Sequence, residues 1–372
     1  MKSFDFSLLP GVNDLALLCS ADIRKKPEDF QVEEKLPFEP DDEGGHVWLL
    51  IQKTGINTDW LATALAKFAG VPGVAVGYAG LKDRHAVTTQ WFSVNMEGFD
   101  EPHWPDFEAS GIKILTYTRH GKKLKRGVLT GNTFTLRLSN IQGEKEHWQA
   151  GLKLIQQQGV PNYFGEQRFG HQGGNLNRVD DWFSTGKAPK KRNQKSIYLS
   201  AARSWLFNLV LAERIKQQNW QTAIDGDVML LAGTKGSVFS IEEIDDTLRD
   251  RVNTMDIHPT GVLWGRGRPQ PKAECLTLEQ QTLENWQDWQ QGLEKAGLNQ
   301  ERRALRLYPS NFEWQFLDDN QLELSFFLPS GCYATVVMRE LAVIADTSQR
   351  NYHDNKTISD SNVIDTKATN DA

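Results

Sequence analysis

Apolar residues in the first 160 positions recur with two different periods. Short runs rich in β-branched and aromatic residues, separated by glycine and polar turns, predict strands. These runs are 46–53, 74–80, 89–94, 112–118 and 127–140. Two longer segments, 57–70 and 144–159, repeat apolar residues every three or four positions and end at a glycine, so they predict helices. Because strands and helices do not alternate as βαβ units, the pattern favours the α+β class.

Helical segments dominate the middle of the chain, and strands return after it. Residues 160–178 are rich in glycine and predict a long loop. A continuous apolar stripe then predicts a helix at 200–218 with Ser200 as its N-cap. Further helices are predicted at 241–253 and 278–297, and strands at 321–328 and 333–338. We interpret the helical block as an insertion into a discontinuous first domain, whose last strands rejoin the first sheet.

The composition is that of an ordinary globular protein. With 372 residues, 39% of them hydrophobic and 24% charged, the chain is long enough for two domains. Cys19, Cys275 and Cys332 have neither disulfide-framework nor zinc-ligand spacing, which indicates a reduced protein. No run reaches the roughly 20 apolar residues of a membrane span, and no convincing signal peptide opens the chain. We therefore expect a cytoplasmic protein, and a monomer, since nothing indicates an obligate partner.

The formal net charge of −6 averages over several basic clusters, including RHGKKLKRG at 119–127 and KAPKKRNQK at 187–195. A single cluster of this kind is usually a solvated loop. Several of them on an acidic chain favour a segregated basic face that would bind nucleic acid. The first cluster supplies the candidate contacts to an RNA backbone: Lys122, Lys123, Lys125 and Arg126.

The stretch GLKDRHAVTTQ at 80–90 carries a carboxylate among bases. Asp83 lies between Lys82 and Arg84 at the entry to a predicted strand. A carboxylate near a glycine turn is commonly a capping residue, but it could also be a nucleophile or base that a nearby cation keeps ionised. Neighbouring side chains of an extended segment leave on the opposite face, so that cation should come from elsewhere in the fold. His85 could act as a base, although a lone histidine is more often structural.

Three further segments carry residues suited to contacting a base. Phe30, within RKKPEDFQVEE, is either a core residue or a stacking platform beside the basic run. Asn132 is either a turn residue or an amide that pairs with the edge of a base, and Phe134 would share its face of a strand. Tyr333 follows a Pro-Ser-Gly turn near the end of the chain.

Several chemistries lack their motifs. The sequence contains no HExxH, no CxxC and no clustered His and Asp set, so a zinc or two-metal hydrolase has little support. It also lacks GxSxG, a phosphate loop, and a GxGxxG that opens a helix after a strand. The remaining possibilities are a chemistry without a cofactor, and a binding role without chemistry.

These motifs together resemble the TruD family of tRNA pseudouridine synthases. The resemblance rests on KKPEDFQVEE, GLKDRHAVTTQW, GNTFTL, VPNYFGEQRFG, LSAARSWLFN and LPSGCYATVVMREL, which occur in family order, and it is weakest over roughly 218–300. It implies a catalytic α+β domain of the pseudouridine-synthase type, with a mixed, mainly antiparallel sheet, at 1–157 and 307–346. A mostly helical α+β insertion domain would occupy 158–306, and the polar residues 347–372 would form a disordered tail.

The resemblance also implies an activity and a site. The substrate would be uridine 13 of certain tRNAs, which would be isomerised to pseudouridine without a cofactor or a metal. Asp83 matches the family's catalytic aspartate. The positions that match nucleotide-contacting residues are Phe30, Asn132 and Tyr333, the last standing where the family is expected to carry phenylalanine. We nominate Arg24 as the cation beside Asp83, and Phe134 as a further ring beside a flipped base.

Two interpretations from other classes remain open, as does the role of the aspartate. A tRNA-binding protein with a vestigial pocket would bind without converting uridine, and a metal-dependent nuclease built on Asp83 and His85 would cleave RNA. Within the isomerase interpretation, Asp83 could attack C1′ of the sugar, add to C6 of the uracil ring or abstract the 2′ proton.

Overall fold

The structure is a computed structural model that describes residues 4–6, 9–107, 109–234, 236–318 and 320–348. These residues divide into two compact units. The sheet unit comprises the described residues within Leu15–Leu152, Pro309–Gly331 and Ala342–Ala372. The helical unit comprises those within Met1–Asp14, Lys153–Tyr308 and Cys332–Leu341. A helix with the length and continuous apolar surface of a membrane span is absent from the described ranges.

Strands and helices occur in both units and are numbered in chain order. The strands are β1 (Ser20–Ile23), β2 (Phe30–Lys35), β3 (His46–Thr54), β4 (Val76–Tyr78), β5 (Val87–Asn95), β6 (Ile112–His120), β7 (Gly131–Gln142), β8 (Val160–Pro161), β9 (Val228–Leu231), β10 (Val238–Ser240), β11 (Ile257–Leu263), β12 (Glu301–Ala304), β13 (Arg306–Leu307), β14 (Ser310–Asp318), β15 (Gln321–Pro329) and β16 (Val343–Asp346). The α-helices are α1 (Thr58–Phe68), α2 (Lys145–Gln158), α3 (Gly174–Thr185), α4 (Arg192–Lys216), α5 (Asp246–Asn253), α6 (Ala273–Thr282), α7 (Gln287–Lys295) and α8 (Ala334–Arg339).

The sheet unit is built on one mixed, mainly antiparallel sheet. Its central order is β14-β15-β7-β2-β5-β3-β6, with β1 beside β7 and β16, and β4 beside β5. The pairs β2–β5 and β1–β16 are parallel, and the others are antiparallel. The late strand β15 lies against β7, where Phe326 is the register partner of Phe134. Strands from both ends of the chain therefore complete the same sheet.

An amphipathic helix covers part of this sheet. Leu61 and Leu65 of α1 lie in one buried cluster with Leu49 and Ile51 of β3 and Phe92 of β5. Truncating a buried leucine of this kind to alanine typically costs about 2–5 kcal/mol. The strand alternation that buries these residues on β3 also determines which polar residues of the sheet are buried.

The helical unit has its own core. The long helix α4 buries Phe207 and Leu211 completely, and Trp205 packs edge-on against Phe6 and Phe169, with centroid distances of 5.1 and 5.8 Å. A four-stranded antiparallel sheet in the order β10-β9-β11-β12 and a two-stranded ladder of β8 and β13 complete the unit.

The α+β prediction is confirmed, and most predicted elements are present. The strands predicted at 46–53, 89–94, 112–118 and 321–328 correspond to β3, β5, β6 and β15, and the predicted strand at 127–140 corresponds to β7, which begins at Gly131. The two early helices correspond to α1 and α2, and the late strands rejoin the first sheet as expected.

Three local predictions are wrong. The loop predicted at 160–178 contains β8 and the start of α3, and α4 begins at Arg192, so Ser200 lies inside the helix. The polar residues that open α4 lack the apolar stripe on which the prediction depended. The strand predicted at 333–338 is the helix α8, whose Val336, Val337 and Met338 are buried. Burial in the helical unit outweighs the β-propensity of those residues.

Two further predictions differ in extent. The helix predicted at 278–297 is divided into α6 and α7 by a 3-10 turn at Glu284–Trp286. The predicted tail, 347–372, lies outside the described residues from position 349 onward. Its first residue, Thr347, donates its backbone N–H to the carbonyl of Ile23 at 3.1 Å.

Candidate active site

The loop that carries Asp83 joins β4 to β5 and is anchored by buried side chains. Thr58 accepts a hydrogen bond from the backbone N–H of Lys82 at 3.1 Å and donates its hydroxyl to Gln90, also at 3.1 Å. Gln90 donates its amide to the carbonyl of Gly80 at 3.1 Å. Because Thr58 and Gln90 are buried, these bonds fix the backbone that leads into Asp83.

Lys82 pairs with Glu34 of β2. Its Nζ lies 2.5 Å from Oε2 of Glu34, and the two side chains are 5% and 0% exposed. The other carboxylate oxygen of Glu34 accepts a hydrogen bond from the backbone N–H of Trp91 at 3.4 Å. The pair attaches the Asp83 loop to the buried face of β2, where Glu34 is the register partner of Asn132.

Asp83 is held at both carboxylate oxygens and remains partly exposed. Its Oδ2 accepts a hydrogen bond from Nη2 of Arg24 at 2.8 Å, and its Oδ1 accepts the backbone N–H of His85 at 2.9 Å. The side chain is 29% exposed, whereas that of Arg24 is 5% exposed. The guanidinium at this distance orients the carboxylate, and the exposed part is accessible to a substrate.

Arg24 is a fixed cation shared by two carboxylates. Its backbone, directly after β1, has φ = 60°, a left-handed conformation that costs a non-glycine residue about 1–2 kcal/mol. Its guanidinium carbon lies 3.9 Å from the centroid of the Phe30 ring, and its Nη1 donates to Oδ2 of Asp346. Partial burial alone would raise the pKa of Asp346, but hydrogen bonds from Ser348 and the charge of Arg24 keep that pKa below its ordinary value.

Lys53 of β3 brings another buried cation to the Asp83 loop. Its side chain is 0% exposed, and its Nζ donates to the carbonyl of Ile56 at 2.7 Å and to the carbonyl of Asp83 at 3.4 Å. Burial lowers the pKa of the Lys53 ammonium to about 8, an effect that the charge of Asp83 opposes and the charge of Lys82 reinforces. Lys53 therefore places positive charge at the backbone of Asp83.

Phe30, Phe134 and Asn132 lie on the same face of the neighbouring strands β2 and β7. The two rings are 4% and 7% exposed, and their centroids are 6.1 Å apart in an edge-to-face arrangement. Arg24 lies over the ring of Phe30, so this ring supports the cation that contacts Asp83. The Oδ1 atom of Asn132 is buried and accepts no hydrogen bond from a described residue.

Tyr333 belongs to the helical unit, where it directly precedes α8. Its ring is half-buried, and its centroid lies 6.4 Å from that of Phe164. Of the six residues predicted at the catalytic and nucleotide-binding site, five lie in the sheet unit, and Tyr333 lies in the helical unit. The five are Arg24, Phe30, Asp83, Asn132 and Phe134.

The basic cluster at 119–127 includes a surface loop of the sheet unit. Three of its cations are exposed, namely Lys122, Lys125 and Arg126, and Lys123 is half-buried. The guanidinium carbon of Arg126 lies 4.9 Å from the centroid of the Tyr78 ring, and one of its nitrogens lies 3.8 Å from a carboxylate oxygen of Asp59. Part of the positive charge of this loop is therefore already paired.

Three residues around Asp83 were not predicted from the sequence: Glu34, Lys53 and Asp346. Two of them could have been found from the alternation of side chains along their strands. Glu34 is two residues after Val32 and lies on the same buried face of β2, and Lys53 is two residues after Ile51 on the buried face of β3. A charged residue on the buried face of a strand must be paired or hydrogen-bonded. Asp346 had no such signal, since it meets Arg24 only because β16 pairs with β1.

The arrangement suits a carboxylate that acts as a nucleophile or as a general base. Asp83 is oriented by Arg24, its loop is attached to the sheet through Lys82, and part of its surface remains open. In the part of the chain that the structure describes, no three His, Cys, Asp or Glu side chains gather closely enough to hold a metal ion.

Comparison with known proteins gives matches over most of the chain. The family model described as tRNA pseudouridine synthase D (TruD) matches residues 18–190 and 187–341. The tRNA pseudouridine synthase D of Nitrosococcus oceani is 49% identical over 326 residues, which cover 87% of this chain and 91% of the relative. The protein of the same name from Methylococcus capsulatus is 45% identical over 337 residues, covering 89% of this chain and 95% of the relative.

A solved structure supports the fold. The TruD structure from Methanosarcina mazei has a TM-score of 0.67 to this chain at 22% sequence identity, and covers 89% of this chain and 95% of its own. The family model and the curated relatives extend across both compact units. The chain therefore belongs to the tRNA pseudouridine synthase D (TruD) family.

Proposed function

We propose that this protein isomerises uridine to pseudouridine in tRNA, with Asp83 as the catalytic residue. The observation that carries the proposal is the state of Asp83: its carboxylate is paired with a buried guanidinium at 2.8 Å and is still 29% exposed. Such a group is oriented and accessible at the same time. The curated relatives are named tRNA pseudouridine synthase D, which supports tRNA as the substrate class.

The reaction can be balanced within the nucleoside. The bond between N1 of uracil and C1′ of the ribose breaks, the base turns, and C5 forms a new bond to C1′. C5 loses its proton, and N1 gains one. Nothing is oxidised, hydrolysed or phosphorylated, so the chemistry requires no cofactor in principle. One carboxylate in the correct position is enough to act as the nucleophile or the base.

Asp83 would act in one of three ways, each of which needs it ionised. It attacks C1′, adds to C6 of uracil, or removes the 2′ proton of the sugar. Arg24 supports all three, because its guanidinium orients Oδ2 and leaves the carboxylate partly open. In this proposal Phe30 supports Arg24 through the ring face that the guanidinium covers, at 3.9 Å from the centroid.

The target within tRNA is proposed to be uridine 13. A base in folded RNA must leave its stack to reach a protein carboxylate, and aromatic rings and amides then hold it. Asn132, whose Oδ1 is buried and without a donor among the described residues, would accept a hydrogen bond from the imide N–H of uracil. Tyr333 would stack on the flipped base, and Phe134 would support Phe30 from the core.

The two domains and the basic loop complete the proposal. We propose a catalytic domain at 1–157 and 307–346 and an insertion domain at 158–306. The compact units differ from this division, because the described residues within 1–14, 153–157, 307–308 and 332–341 belong to the helical unit. The exposed cations of the basic cluster at 119–127 would contact the tRNA backbone, a contribution that weakens as salt rises.

Loss of tritium from C5 of uridine is a direct assay. Purified protein is incubated with a tRNA transcript tritiated at that carbon, and released tritium is counted, because forming the C5–C1′ bond expels the C5 proton. Wild-type protein should release one equivalent from the transcript and none from a transcript with cytidine at position 13. Asp83→Asn should release none and should still bind the transcript.

Asp346→Asn provides a matched control. Asp346 pairs with the same guanidinium as Asp83 and has similar exposure, 32% against 29%. Replacing it removes one charge from Arg24 and leaves Asp83 in place, so activity should fall by less than about tenfold. Full activity in Asp83→Asn, or equal loss in both variants, would exclude the catalytic role of Asp83. RNA cleavage that EDTA abolishes would instead support a nuclease.

A further inference from the structure

Two arginines of the helical unit lie over the same aromatic ring. The guanidinium carbon of Arg303, on β12, is 4.1 Å from the centroid of the Phe164 ring, and that of Arg168 is 5.4 Å from the same centroid. Burial lowers the pKa of Arg303; Cys332 and Tyr333 oppose this effect, and the nearby charge of Arg168 adds to it. Two like charges thus lie at one ring, and a nearby anion would stabilise both.

Arg168 has unused capacity to donate. Its Nε is buried and donates to no described residue, and no carboxylate among the described residues forms an ion pair with it. A guanidinium left in this state retains its fork of donors for a ligand. Arg168 lies on the 3-10 turn Glu166–Phe169. The residue before this turn, Gly165, packs against Tyr333 and Thr335.

The surroundings of this pair are rigid. Asn208, which is 0% exposed, binds the backbone of Phe164 from both sides, accepting its N–H at 2.9 Å and donating to its carbonyl at 3.0 Å. Arg303 donates to the side-chain oxygen of Asn162 at 2.5 Å, and Asn162 is itself buried and bonded to the carbonyl of Ala304 at 2.8 Å. The ring and one of the two cations are therefore fixed before any ligand arrives.

This arrangement adjoins Tyr333. The Tyr333 ring meets the Phe164 ring at 6.4 Å, and a sulfur–nitrogen contact of 4.0 Å joins Cys332, the residue before Tyr333, to Arg303. An aromatic side chain and two cations thus share one part of the helical unit. Aromatic rings interleaved with guanidinium groups are the combination that single-stranded nucleic acids bind, with the base on the ring and the phosphate on the cation.

We propose that Arg168 and Arg303 form a phosphate-binding subsite for the RNA substrate, which takes a phosphodiester next to the nucleotide that Tyr333 contacts. The inference rests on the proposed function, because the phosphodiester belongs to the RNA substrate that this function requires. A phosphodiester suits the pair because Arg168 supplies hydrogen-bond donors, while Arg303, which also bonds Asn162, adds positive charge beside the same ring. A phosphate group also brings its base within reach of the ring.

The test is a double-mutant cycle in which an arginine of the protein and a phosphate charge of the RNA are removed separately and together. Binding of a tRNA transcript is measured on an Asp83→Asn background, so that turnover does not change the ligand. Arg168→Gln and Arg303→Lys are each compared with Arg178→Gln, which removes an exposed arginine of α3 in the same unit. Each is measured against normal tRNA and against tRNA in which a methylphosphonate replaces the phosphodiester on either side of the target uridine. Thermal unfolding confirms that each variant is folded.

Arg168→Gln should weaken binding of normal tRNA about tenfold and reduce the salt slope by about 0.7–0.9, the share of one phosphate contact. In one of the two methylphosphonate tRNAs the phosphate charge that Arg168 contacts is already absent. With that tRNA, Arg168→Gln should change affinity less than about twofold. Arg303→Lys keeps the charge but loses the fork, so its effect should be smaller and also absent for that RNA.

Two outcomes would overturn the inference. If folded Arg168→Gln and Arg303→Lys bind normal tRNA as Arg178→Gln does, the subsite does not exist, although the proposed function stands. If both methylphosphonate tRNAs remain as sensitive to Arg168→Gln as normal tRNA, the arginine contacts something other than these phosphates. A wild-type chain that binds no tRNA would instead refute the proposed function together with the subsite.

Discussion

The buried ion pair between Lys82 and Glu34 allows a quantitative prediction about the Asp83 loop. Its Nζ–Oε2 distance is 2.5 Å, and the side chains are 5% and 0% exposed. Lys82→Met keeps most of the aliphatic stem and removes the charge. Glu34 would then remain charged in the core with the Trp91 N–H, at 3.4 Å, as its one remaining donor among the described residues.

The expected magnitude follows from this burial. Breaking a buried pair by removing one partner typically costs about 3–5 kcal/mol, because the other charge is left uncompensated. Lys82→Met should therefore lower the unfolding free energy of the sheet unit by about that amount. The double variant Lys82→Met/Glu34→Gln removes both charges and keeps an acceptor for Trp91. It should recover to within about 1 kcal/mol of the wild type.

A second ion pair on the same strand is the matched control. Lys35 and Glu33 approach to 2.6 Å, but their side chains are 45% and 54% exposed. Lys35→Met should cost less than about 0.5–1 kcal/mol, because surface pairs are screened by water. The two pairs have nearly the same separation and differ in burial, so the comparison isolates the contribution of burial.

Amide hydrogen exchange of β2 and β5 is the suitable assay, since it reports the sheet unit specifically. Urea unfolding followed by circular dichroism gives an independent value, and a double-mutant cycle gives the coupling between Lys82 and Glu34. A cost for Lys82→Met no greater than that for Lys35→Met would refute the burial effect. A double variant as unstable as Lys82→Met alone would refute it as well.

Three further predictions concern the site and the basic loop. Lys53→Met should change how stability depends on pH: the pKa of Lys53 is lowered from 10.5 to about 8 on folding, so the unfolded chain binds more protons between those values. Wild type should therefore gain about 3 kcal/mol relative to Lys53→Met as pH rises through that window, measured by urea unfolding, whereas a constant difference contradicts the burial. Asn132→Ala removes an oxygen without a partner among the described residues. It should cost less than about 1 kcal/mol of unfolding free energy and lower tritium release at least tenfold. A large loss of stability with little loss of tritium release would instead identify Asn132 as a structural residue. Neutralising Lys122 and Lys125 together, both exposed, should reduce the salt slope of tRNA binding by up to about 0.9 per lost contact, and an equal reduction in a Lys67→Gln/Lys113→Gln control would exclude a specific contact.

Most strands and helices of the sheet unit could be predicted from the sequence because each carries its own period, as the run of β3 and the amphipathic face of α1 do. The short strands β1 and β2 were not predicted. The exposed cations of the basic loop were likewise visible as a local run of charge. The motif around Asp83 could be located, since its residues are contiguous in the chain.

Prediction failed where packing outweighs local preference. The β-branched residues of α8 form a helix in which Val336, Val337 and Met338 are buried, with Val336 in the core of the helical unit. The first turns of α4, by contrast, are polar and gave no apolar signal. For α8 the deciding contacts come from residues distant in sequence, which periodicity does not record.

The sequence by itself determined the class of fold, the strands β3, β5 and β7 beside the site, and the position of the carboxylate that we propose to be catalytic. Only the tertiary structure decided what surrounds that carboxylate. Arg24 lies 59 residues from Asp83 in the chain and contacts it at 2.8 Å, and the same guanidinium reaches Asp346, 322 residues away. Arg24 and Asp346 meet because β1 pairs with β16, strands that come from opposite ends of the chain, whereas Asp83 arrives on the loop between β4 and β5. A sequence lists charges in chain order, whereas their electrostatic interaction depends on distance in space, and the fold alone sets that distance.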